Sequence, residues 1–295
     1  MRHLQFFIKS LKIHMMKILS LIFTVLFCAF SAQSFAYDWK KDGERLTFSV
    51  SWSFVHVGNA ELLLRNDADE YEIIGRAWTD DTYNSLYRLR DRIRIEGVHT
   101  KEQPFLSKSY VAELKENDYR ADKLVTYNHE KNICTYTNRH KNRPTVRFDV
   151  EPYTRDMISA LYALRSLNDK PKVGDVYTLP VVHYDSQYTY TLRVLEKERM
   201  DTALGKKDVF EIQPILTRSI KDGGKSKARL RLWVTADGQF VPVKVEIKLN
   251  FGSFRAMLTN AEGANSPSIT PIGIPEEGEV DMNLEKRFDD DRYNR

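Results

Sequence analysis

Residues 46–53 of the chain read LTFSVSWS, and this stretch is the clearest indication of the fold. Leu46, Phe48, Val50 and Trp52 alternate with threonine and serine, so one face of the segment is apolar and the other is polar. A period of two is the pattern of a β-strand with one buried face. The segment therefore predicts a strand that contributes its apolar face to a core.

The same pattern recurs along most of the chain. Apolar and β-branched runs, separated by turn sequences, occur at residues 60–64, 71–78, 88–98, 107–115, 123–128, 133–137, 176–182, 188–197, 208–214, 228–235, 241–250 and 254–260. Residues 236–239 (ADGQ) have the composition of a hairpin turn. Many short strands joined by turns predict a mainly β fold, built as a single curved or spiral antiparallel β-barrel-like sheet.

One segment in the middle of the chain has a helical pattern instead. Residues 154–167 read TRDMISALYALRSL, in which the apolar residues recur at three- and four-residue spacing. Thr154 or Asp156 is suited to cap the start of a helix, and Pro171 follows its end. We therefore expect one central α-helix, at about residues 154–167, which plugs one opening of the curved sheet.

The N-terminal residues 1–36 have the features of a secretory signal peptide. Four basic residues precede or flank a short apolar run at residues 18–30, and Ser34-Phe35-Ala36 supplies small residues at the −3 and −1 positions. The run is shorter than the roughly 20 residues that a membrane span needs. We expect cleavage after Ala36, export to the periplasm and no membrane span afterwards, with translation starting at Met1, Met15 or Met16. A retained N-terminal anchor is the alternative.

Charge and cysteine content change once the leader is removed. The whole chain has a formal net charge of +4, and residues 1–36 contain four basic and no acidic residues. The remaining chain is therefore formally neutral, which argues against nucleic acid as a partner. Cys28 leaves with the leader, and Phe27 before it disfavours lipid attachment. Cys134 alone cannot form an internal disulfide.

The rest of the chain divides into two parts. Residues 37–262 form the predicted β-rich exported domain. Residues 263–295 are rich in proline, glycine and acidic side chains and contain few aromatics. Because such a composition buries too little apolar area to offset the entropy of ordering, we expect a disordered acidic tail.

Two basic ladders are candidates for binding an anionic group. In each ladder basic residues occupy alternate positions, so a strand would present them on one face. The first ladder is Arg88, Arg90, Arg92 and Arg94, and the second is Lys225, Lys227, Arg229 and Arg231. Arginine binds phosphate and carboxylate through paired hydrogen bonds. The alternative is a solvated strand face whose charges are neutralised across strands and discourage aggregation.

Aromatic residues are the candidates for lining an apolar cavity. Trp52, Trp78 and Trp233 lie in predicted strands, where they either fill the core or face a ligand. The histidines are scattered, and motifs for metal binding, nucleotide binding or a nucleophilic serine elbow are absent from the sequence. We therefore assign no catalytic residue, no metal ligand and no cofactor, and we expect Cys134 to be a small buried residue.

Several runs, taken in order, resemble the bacterial domain-of-unknown-function family 3108 (DUF3108). They are residues 43–52 (GERLTFSVSW) with 57–60 (VGNA), residues 156–167, residues 173–175 (VGD), Glu198-Arg199 with Gly205, and residues 232–235 (LWVT) with Asp237 and 241–243 (VPV). The resemblance covers about residues 37–261. It implies an exported, β-rich domain with a broken or spiral barrel, similar to envelope lipoprotein carriers. It supplies no activity and no catalytic residues.

Three functions are compatible with these features. The first is a non-enzymatic periplasmic protein of the envelope that binds a lipid, a glycolipid or a segment of a partner in a β cavity. The second is a structural or assembly scaffold that contacts other envelope proteins. The third is a hydrolase of an envelope polymer that uses acidic residues such as Asp156 or Asp185. The sequence indicates no oligomeric state.

Overall fold

The computed structural model describes residues 38–67, 69–85, 87–140, 144–167, 171–218, 229–249 and 252–264. The predicted leader, including the cleavage site at Ala36, lies outside the described residues. Residues 265–295 of the predicted tail, and Lys225 and Lys227 of the second basic ladder, also lie outside them. Within the described ranges, none of the helices has both the length and the apolar character needed to cross a membrane.

The described chain consists of strands, two short α-helices and one turn of 3-10 helix at Asp81–Tyr83. The α-helices are α1 (Trp39–Asp42) and α2 (Met157–Arg165). The strands are β1 (Glu44–Trp52), β2 (Val55–Asn66), β3 (Glu70–Thr79), β4 (Arg90–Val98), β5 (Leu106–Glu116), β6 (Tyr119–Asn128), β7 (Ile133–Asn138), β8 (Val146–Asp149), β9 (Val176–His183), β10 (Ser186–Thr202), β11 (Gly205–Arg218), β12 (Arg229–Thr235), β13 (Pro242–Leu249) and β14 (Gly252–Glu262).

All the strands belong to one antiparallel sheet. Their spatial order is β8-β7-β6-β5-β4-β3-β2-β1-β14-β13-β12-β11-β10-β9. Because β1 pairs with β14, the first and last strands lie together in the middle of the order. The edges are β8 and β9, which are not paired with each other in the described residues, so the sheet remains open between them. The predicted single, mainly β, antiparallel sheet is therefore confirmed.

Helix α2 lies in the chain segment that connects the two edges. Just before it, Arg155 forms an isolated parallel bridge with Val181 of β9. Asp156 is the N-cap, and its carboxylate accepts hydrogen bonds from the backbone N–H groups of Ile158 and Ser159, each at 2.9 Å. A cap of this kind satisfies donors that have no partner within the helix. The helix therefore begins at one defined residue between the edges.

The core lies between α2 and the inner face of the sheet. One side of the helix packs Tyr162 and Ala163 against a cluster that contains Ile73 of β3 and Ile95 of β4. Another side packs Ala160 against a cluster that contains Leu192 of β10. The helix thus contacts both the β1–β8 part and the β9–β14 part of the sheet, and its position determines the space enclosed between them.

The short elements α1 and β8 were not predicted, and neither was the turn of 3-10 helix. Helix α1 has only four residues, with Asp38 as its cap, and β8 has four mostly exposed residues. Neither is long enough to produce a periodic apolar pattern. The bounds of α2 lie inside the predicted residues 154–167, because Asp156 and the residues before it precede the first helical turn. The turn at residues 236–239 joins β12 and β13, as predicted.

Candidate ligand-binding cavity

A cavity of about 240 Å³ lies between α2 and the inner face of the β9–β14 part of the sheet. One row of side chains forms its floor. Val194 of β10 is paired with Ile212 of β11. Leu232 of β12 is paired with Ile212 on one side and with Val245 of β13 on the other. Because lateral partners project from the same face, all four residues present hydrocarbon to the cavity.

The roof of the cavity is the apolar side of α2. Leu161 and Leu164 are three residues apart, so they project from the same side of the helix toward the floor. Tyr177 of β9 and Phe240 of the β12–β13 turn contribute further apolar surface, as does Phe48 of β1. The space is therefore enclosed by aliphatic and aromatic side chains from the helix and from several strands.

The size of the cavity limits what it can hold. An engineered apolar cavity of about 150 Å³ stays dry and binds benzene. Pockets for drug-sized ligands span about 300–1,000 Å³. The cavity of about 240 Å³ lies between these values, so it suits one unbranched chain or a small ring better than a whole lipid with two chains.

A buried ion pair lies at the wall, where α2 ends. The Arg165 guanidinium contacts both carboxylate oxygens of Glu44, and its Nη2 lies 3.1 Å from Oε2. The side chain of Glu44 is fully buried and that of Arg165 is 8% exposed. Tyr162 donates its hydroxyl to Glu44 Oε1 at 2.7 Å. The pair joins the last turn of α2 to the first residue of β1 and neutralises the cation at the wall.

Aromatic and backbone groups complete the surroundings of this cation. The guanidinium carbon of Arg165 lies 4.2 Å from the ring centroid of Trp39, within the range of a cation–π contact. Arg165 Nη2 also donates to the carbonyl of Gln239 at 3.2 Å. These contacts fix the guanidinium in one orientation, so the cavity has a rigid, electrically neutral wall at this end.

The cavity reaches the surface just beyond the end of α2. Leu167 lines the cavity, and yet 42% of the residue is exposed to solvent. Pro171, the next described lining residue along the chain, lies in the segment that leads into β9. Because Leu167 borders both the interior and the solvent, we identify this end of α2 as the mouth of the cavity.

The first basic ladder lies on the opposite face of the sheet from this core. Ile95 of β4 is fully buried, so the alternating residues Arg90, Arg92 and Arg94 face outward. Arg94 contacts Glu72 at 2.7 Å and Glu96 at 3.1 Å. The ladder thus has acidic partners across and along the strands.

The two ends of this ladder bind neighbouring segments of the chain. Arg90 donates to the carbonyl of Thr79 at 2.7 Å. The backbone N–H of Arg88, which precedes β4, donates to Asn117 Oδ1 at 2.8 Å. Neither arginine borders the cavity described above.

The described part of the second ladder consists of Arg229 and Arg231. Arg231 alternates with Leu232, which faces the cavity, so it projects from the other face. Its Nε lies 2.7 Å from Glu211.

Carboxylate oxygens of Glu196, Glu198 and Glu211 lie within 4.8 Å of one another on this side of the sheet. Desolvation raises the pKa of Glu211, and a hydrogen bond with Glu196 adds to the rise.

The three tryptophans proposed for a cavity lie elsewhere. Trp52 packs against Phe254 with ring centroids 4.4 Å apart, at the end of the sheet. Trp78 is the lateral partner of Arg90, on the outer face. Trp233 is buried and donates its indole N–H to Glu198 at 2.7 Å. None of the three is among the described lining residues, and the aromatic rings at the cavity come from other positions.

The acidic residues considered for hydrolysis are engaged in local structure. Asp156 caps α2 and also accepts a hydrogen bond from Ser107 Oγ at 2.6 Å. Asp185 accepts a hydrogen bond from Ser186 at 3.0 Å in an exposed turn. Cys134 is fully buried, and this burial raises the pKa of its thiol to about 12. A thiol in that state is a poor nucleophile at neutral pH.

The residues that line the cavity were missed because no local pattern marks them. The alternation in β10 to β13 indicated which side chains face inward, and the stripe on α2 indicated its apolar side. No local pattern encodes the register between strands, however, so the row from Val194 to Val245 could not be assembled. The useful signal was the coincidence of an apolar helix stripe with four strands whose inward positions are aliphatic.

These observations define a mainly β protein with an open, barrel-like antiparallel sheet and an apolar cavity next to its central helix. The chain belongs to the family described as "Protein of unknown function (DUF3108)", which matches residues 47–259. The resemblance found in the sequence is therefore confirmed. A search of curated proteins gives no match to the chain.

One solved structure supports the fold. A crystal structure described as a beta-barrel-like protein of the domain of unknown function DUF1849 from Brucella abortus is similar, with a TM-score of 0.52 and 10% sequence identity, over 75% of this chain and 97% of that chain. The hypothetical protein CT021 from Chlamydia trachomatis matches with a TM-score of 0.34 and 5% identity, over 76% of this chain and 89% of that chain. The similarity to the Brucella abortus protein, at 10% identity, shows a shared fold alone.

Proposed function

We propose that this protein is a periplasmic carrier that binds one apolar chain of an envelope lipid or glycolipid in the cavity beneath α2, without chemistry at that cavity. The observation that carries the proposal is the apolar cavity of about 240 Å³ between α2 and the row from Val194 to Val245. Natural interiors are close-packed, and voids larger than a water molecule are few. A space of this size in a well-formed core therefore supports ligand binding.

The walls favour binding over chemistry. The cation at the wall, Arg165, is already neutralised by Glu44, and the other described lining residues are apolar or tyrosine. Burying hydrocarbon in such a site gains about 25 cal/mol for each Å² removed from water. An acyl chain gains this energy without any polar partner, whereas its headgroup would remain at the mouth near Leu167. The periplasmic location in the proposal rests on the leader.

Lipid extraction from the protein purified out of its own envelope tests the proposal directly. Native mass spectrometry of the same sample should show a bound species that is released as a lipid on denaturation. In vitro, the fluorescent fatty acid cis-parinaric acid should bind with increased emission, and palmitic acid should displace it. A protein that is consistently empty and does not bind cis-parinaric acid would contradict carriage, and a bound peptide would identify a partner segment instead.

Variants that fill the cavity sharpen this test. Val245→Phe and Ile212→Phe place extra atoms in the cavity, so each should weaken binding of cis-parinaric acid by tenfold or more. Overfilling a packed core reduces stability by about 1–3 kcal/mol. Because the added atoms of these variants enter a cavity, we expect no such fall in their melting temperatures. Val176→Phe is the matched control, since Val176 is 56% exposed on β9. Equal binding by all three variants would refute the site.

A scaffold function is the second candidate, and the open sheet edge favours it. In the described residues β8 has no partner on its outer side, and Val146 there is 41% exposed. A partner strand could pair with this edge. The edge has only four residues, however, and short edges are one way that proteins avoid such pairing. Crosslinking in cells that yields specific protein adducts, with no lipid in the protein, would favour the scaffold over the carrier.

A further inference from the structure

On the outer face of the sheet, Ser49, His56 and Asp80 form a hydrogen-bonded line. Ser49 Oγ lies 2.8 Å from His56 Nδ1. His56 Nε2 lies 2.8 Å from Asp80 Oδ2. Asn59 Nδ2 donates to the other carboxylate oxygen of Asp80 at 3.0 Å. A nucleophile within reach of a base, with a third group orienting that base, is the arrangement that activates serine in hydrolases.

Neighbouring strands bring these side chains together. Ser49 lies in β1, and its direct lateral partner in β2 is Asn59. The pairing register shifts nearby and places His56 of β2 opposite Ser51, so the imidazole faces the same side as Ser49. Asp80 follows the last residue of β3. The line is therefore built on the sheet itself, and its members are separated by up to 31 residues in sequence.

The hydrogen-bond partners of His56 determine which nitrogen of its ring carries the proton. An ionised carboxylate only accepts hydrogen bonds, so Asp80 holds the proton of the neutral His56 ring on Nε2. Nδ1 is then free to accept the proton of the Ser49 hydroxyl. This is the tautomer that a general base needs, although the ring is turned around relative to enzymes in which Nε2 faces the serine.

The surroundings indicate the class of substrate. The side chains of His56 and Asp80 are 46% and 33% exposed, so a substrate can reach them. Phe54 and Val55 directly precede His56, and they are 92% and 50% exposed, which offers apolar surface beside the imidazole.

We propose that Ser49, His56 and Asp80 hydrolyse esters of apolar carboxylic acids at this outer face. Ser49 Oγ attacks the ester carbonyl carbon while His56 Nδ1 takes the hydroxyl proton. The imidazole then gives that proton to the departing alcohol, which leaves an acyl group on Ser49. A water molecule loses a proton to Nδ1 and attacks the acyl carbon, and the carboxylic acid is released as Ser49 regains its proton.

This activity is separate from the cavity. Phe48 and Val50, the sequence neighbours of Ser49, belong to the opposite face of β1, and Phe48 lines the cavity. The sheet therefore lies between the two sites. The proposal does not depend on lipid carriage, and either one can fail without the other.

Labelling with a fluorophosphonate tests the nucleophile. Such a reagent forms a stable adduct only with an activated serine, and peptide mass spectrometry should place that adduct on Ser49. Ser49→Ala should abolish it, whereas Ser51→Ala, a serine two residues away on the same face, should leave it unchanged. Labelling at Ser51, equal labelling of several surface serines, or none would overturn the proposal.

Hydrolysis of p-nitrophenyl butyrate tests the base. His56→Gln should lower kcat on the order of a hundredfold, the lower end of the effect of a general base. The side chain of His56 is partly exposed, and unchanged melting temperatures should show that each variant folds. Rates of Ser49→Ala or His56→Gln equal to that of the wild type would refute the chemistry.

Asp80 is a positioning residue, and its role has a spectroscopic signature. In 15N-labelled protein, long-range proton–nitrogen correlation spectra should show that neutral His56 carries its proton on Nε2. Asp80→Asn should give a mixture of the two tautomers, together with a lower kcat. If the Nδ1–H tautomer dominates in the wild type, Ser49 cannot be deprotonated by His56 and the proposal fails.

Discussion

Replacing Arg165 by methionine should remove the cationic partner of a fully buried carboxylate. Glu44 is 0% exposed, and the methionine would leave its charge where water does not reach. Removing one partner of a buried ion pair costs about 3–5 kcal/mol. Because the Tyr162 hydroxyl would still donate to Glu44 at 2.7 Å, we expect the lower end of that range, about 3 kcal/mol. A typical domain has about 5–15 kcal/mol in total, so this loss would be large.

Urea unfolding at equilibrium, followed by tryptophan fluorescence, measures this loss. Arg65→Met is the matched control, because Arg65 is 60% exposed and pairs with Glu72 at 2.8 Å on the surface. Exposed pairs contribute about 0–1 kcal/mol. The double variant Glu44→Gln/Arg165→Met should recover stability relative to Arg165→Met, since it leaves no buried charge while Gln still accepts from Tyr162. A loss below about 1 kcal/mol for Arg165→Met, or a double variant no more stable than it, would refute this reasoning.

Three further predictions concern single groups. Asp156→Ala should reduce the free energy of unfolding by about 2 kcal/mol in the same urea titration, because two helix N–H groups lose their acceptor. Asp38→Ala, at the exposed cap of α1, should cost less, and equal losses would contradict the assignment. Burial raises the pKa of Asp91 to about 6, so the folded state binds the proton more tightly than the unfolded state. The stability that this group contributes is complete below its ordinary pKa of 3.8 and is lost as the pH rises through about 6. Asp91→Asn should flatten this part of the stability–pH curve while keeping the bond from Lys115 N, and an unchanged curve would rule the cause out. Cys134 should resist a thiol reagent in the native state and react after unfolding, and the denatured protein isolated from cells should show one thiol if the leader with Cys28 is removed and two if it is retained.

The fold was largely predictable because its information is local. The alternation from Leu46 to Trp52 defines both faces of β1, and similar runs define most other strands. The apolar stripe from Met157 to Leu164 indicates α2, because a helix of nine residues is long enough to show the spacing of its apolar positions. In contrast, β8 and α1 are four residues long, and their sequences do not complete a period.

The sites were not predictable because they depend on register. The ladder on β4 has the same sequence whether it binds a ligand or its neighbours, and only the pairing of β3 with β4 brings Glu72 to Arg94. Asp80 lies outside any strand, and only the β2–β3 hairpin places it beside His56. In β3 the buried positions are Tyr71, Ile73 and Gly75, so Trp78 projects from the opposite, outer face.

The contacts that hold α2 to the two parts of the sheet are of different kinds. This difference determines which part of the sheet separates from the helix more easily when the cavity opens. Its charged contacts reach the β1–β8 part of the sheet, through Ser107 to Asp156 and through Glu44 to Arg165. Toward the β9–β14 part the described contacts are apolar side chains, the bridge before the helix and the carbonyl of Gln239. Separating apolar surfaces leaves no buried charge without a partner, whereas breaking the ion pair does. A ligand entering near Leu167 would therefore displace β9–β13 from the helix more easily than it would lift the helix from β1.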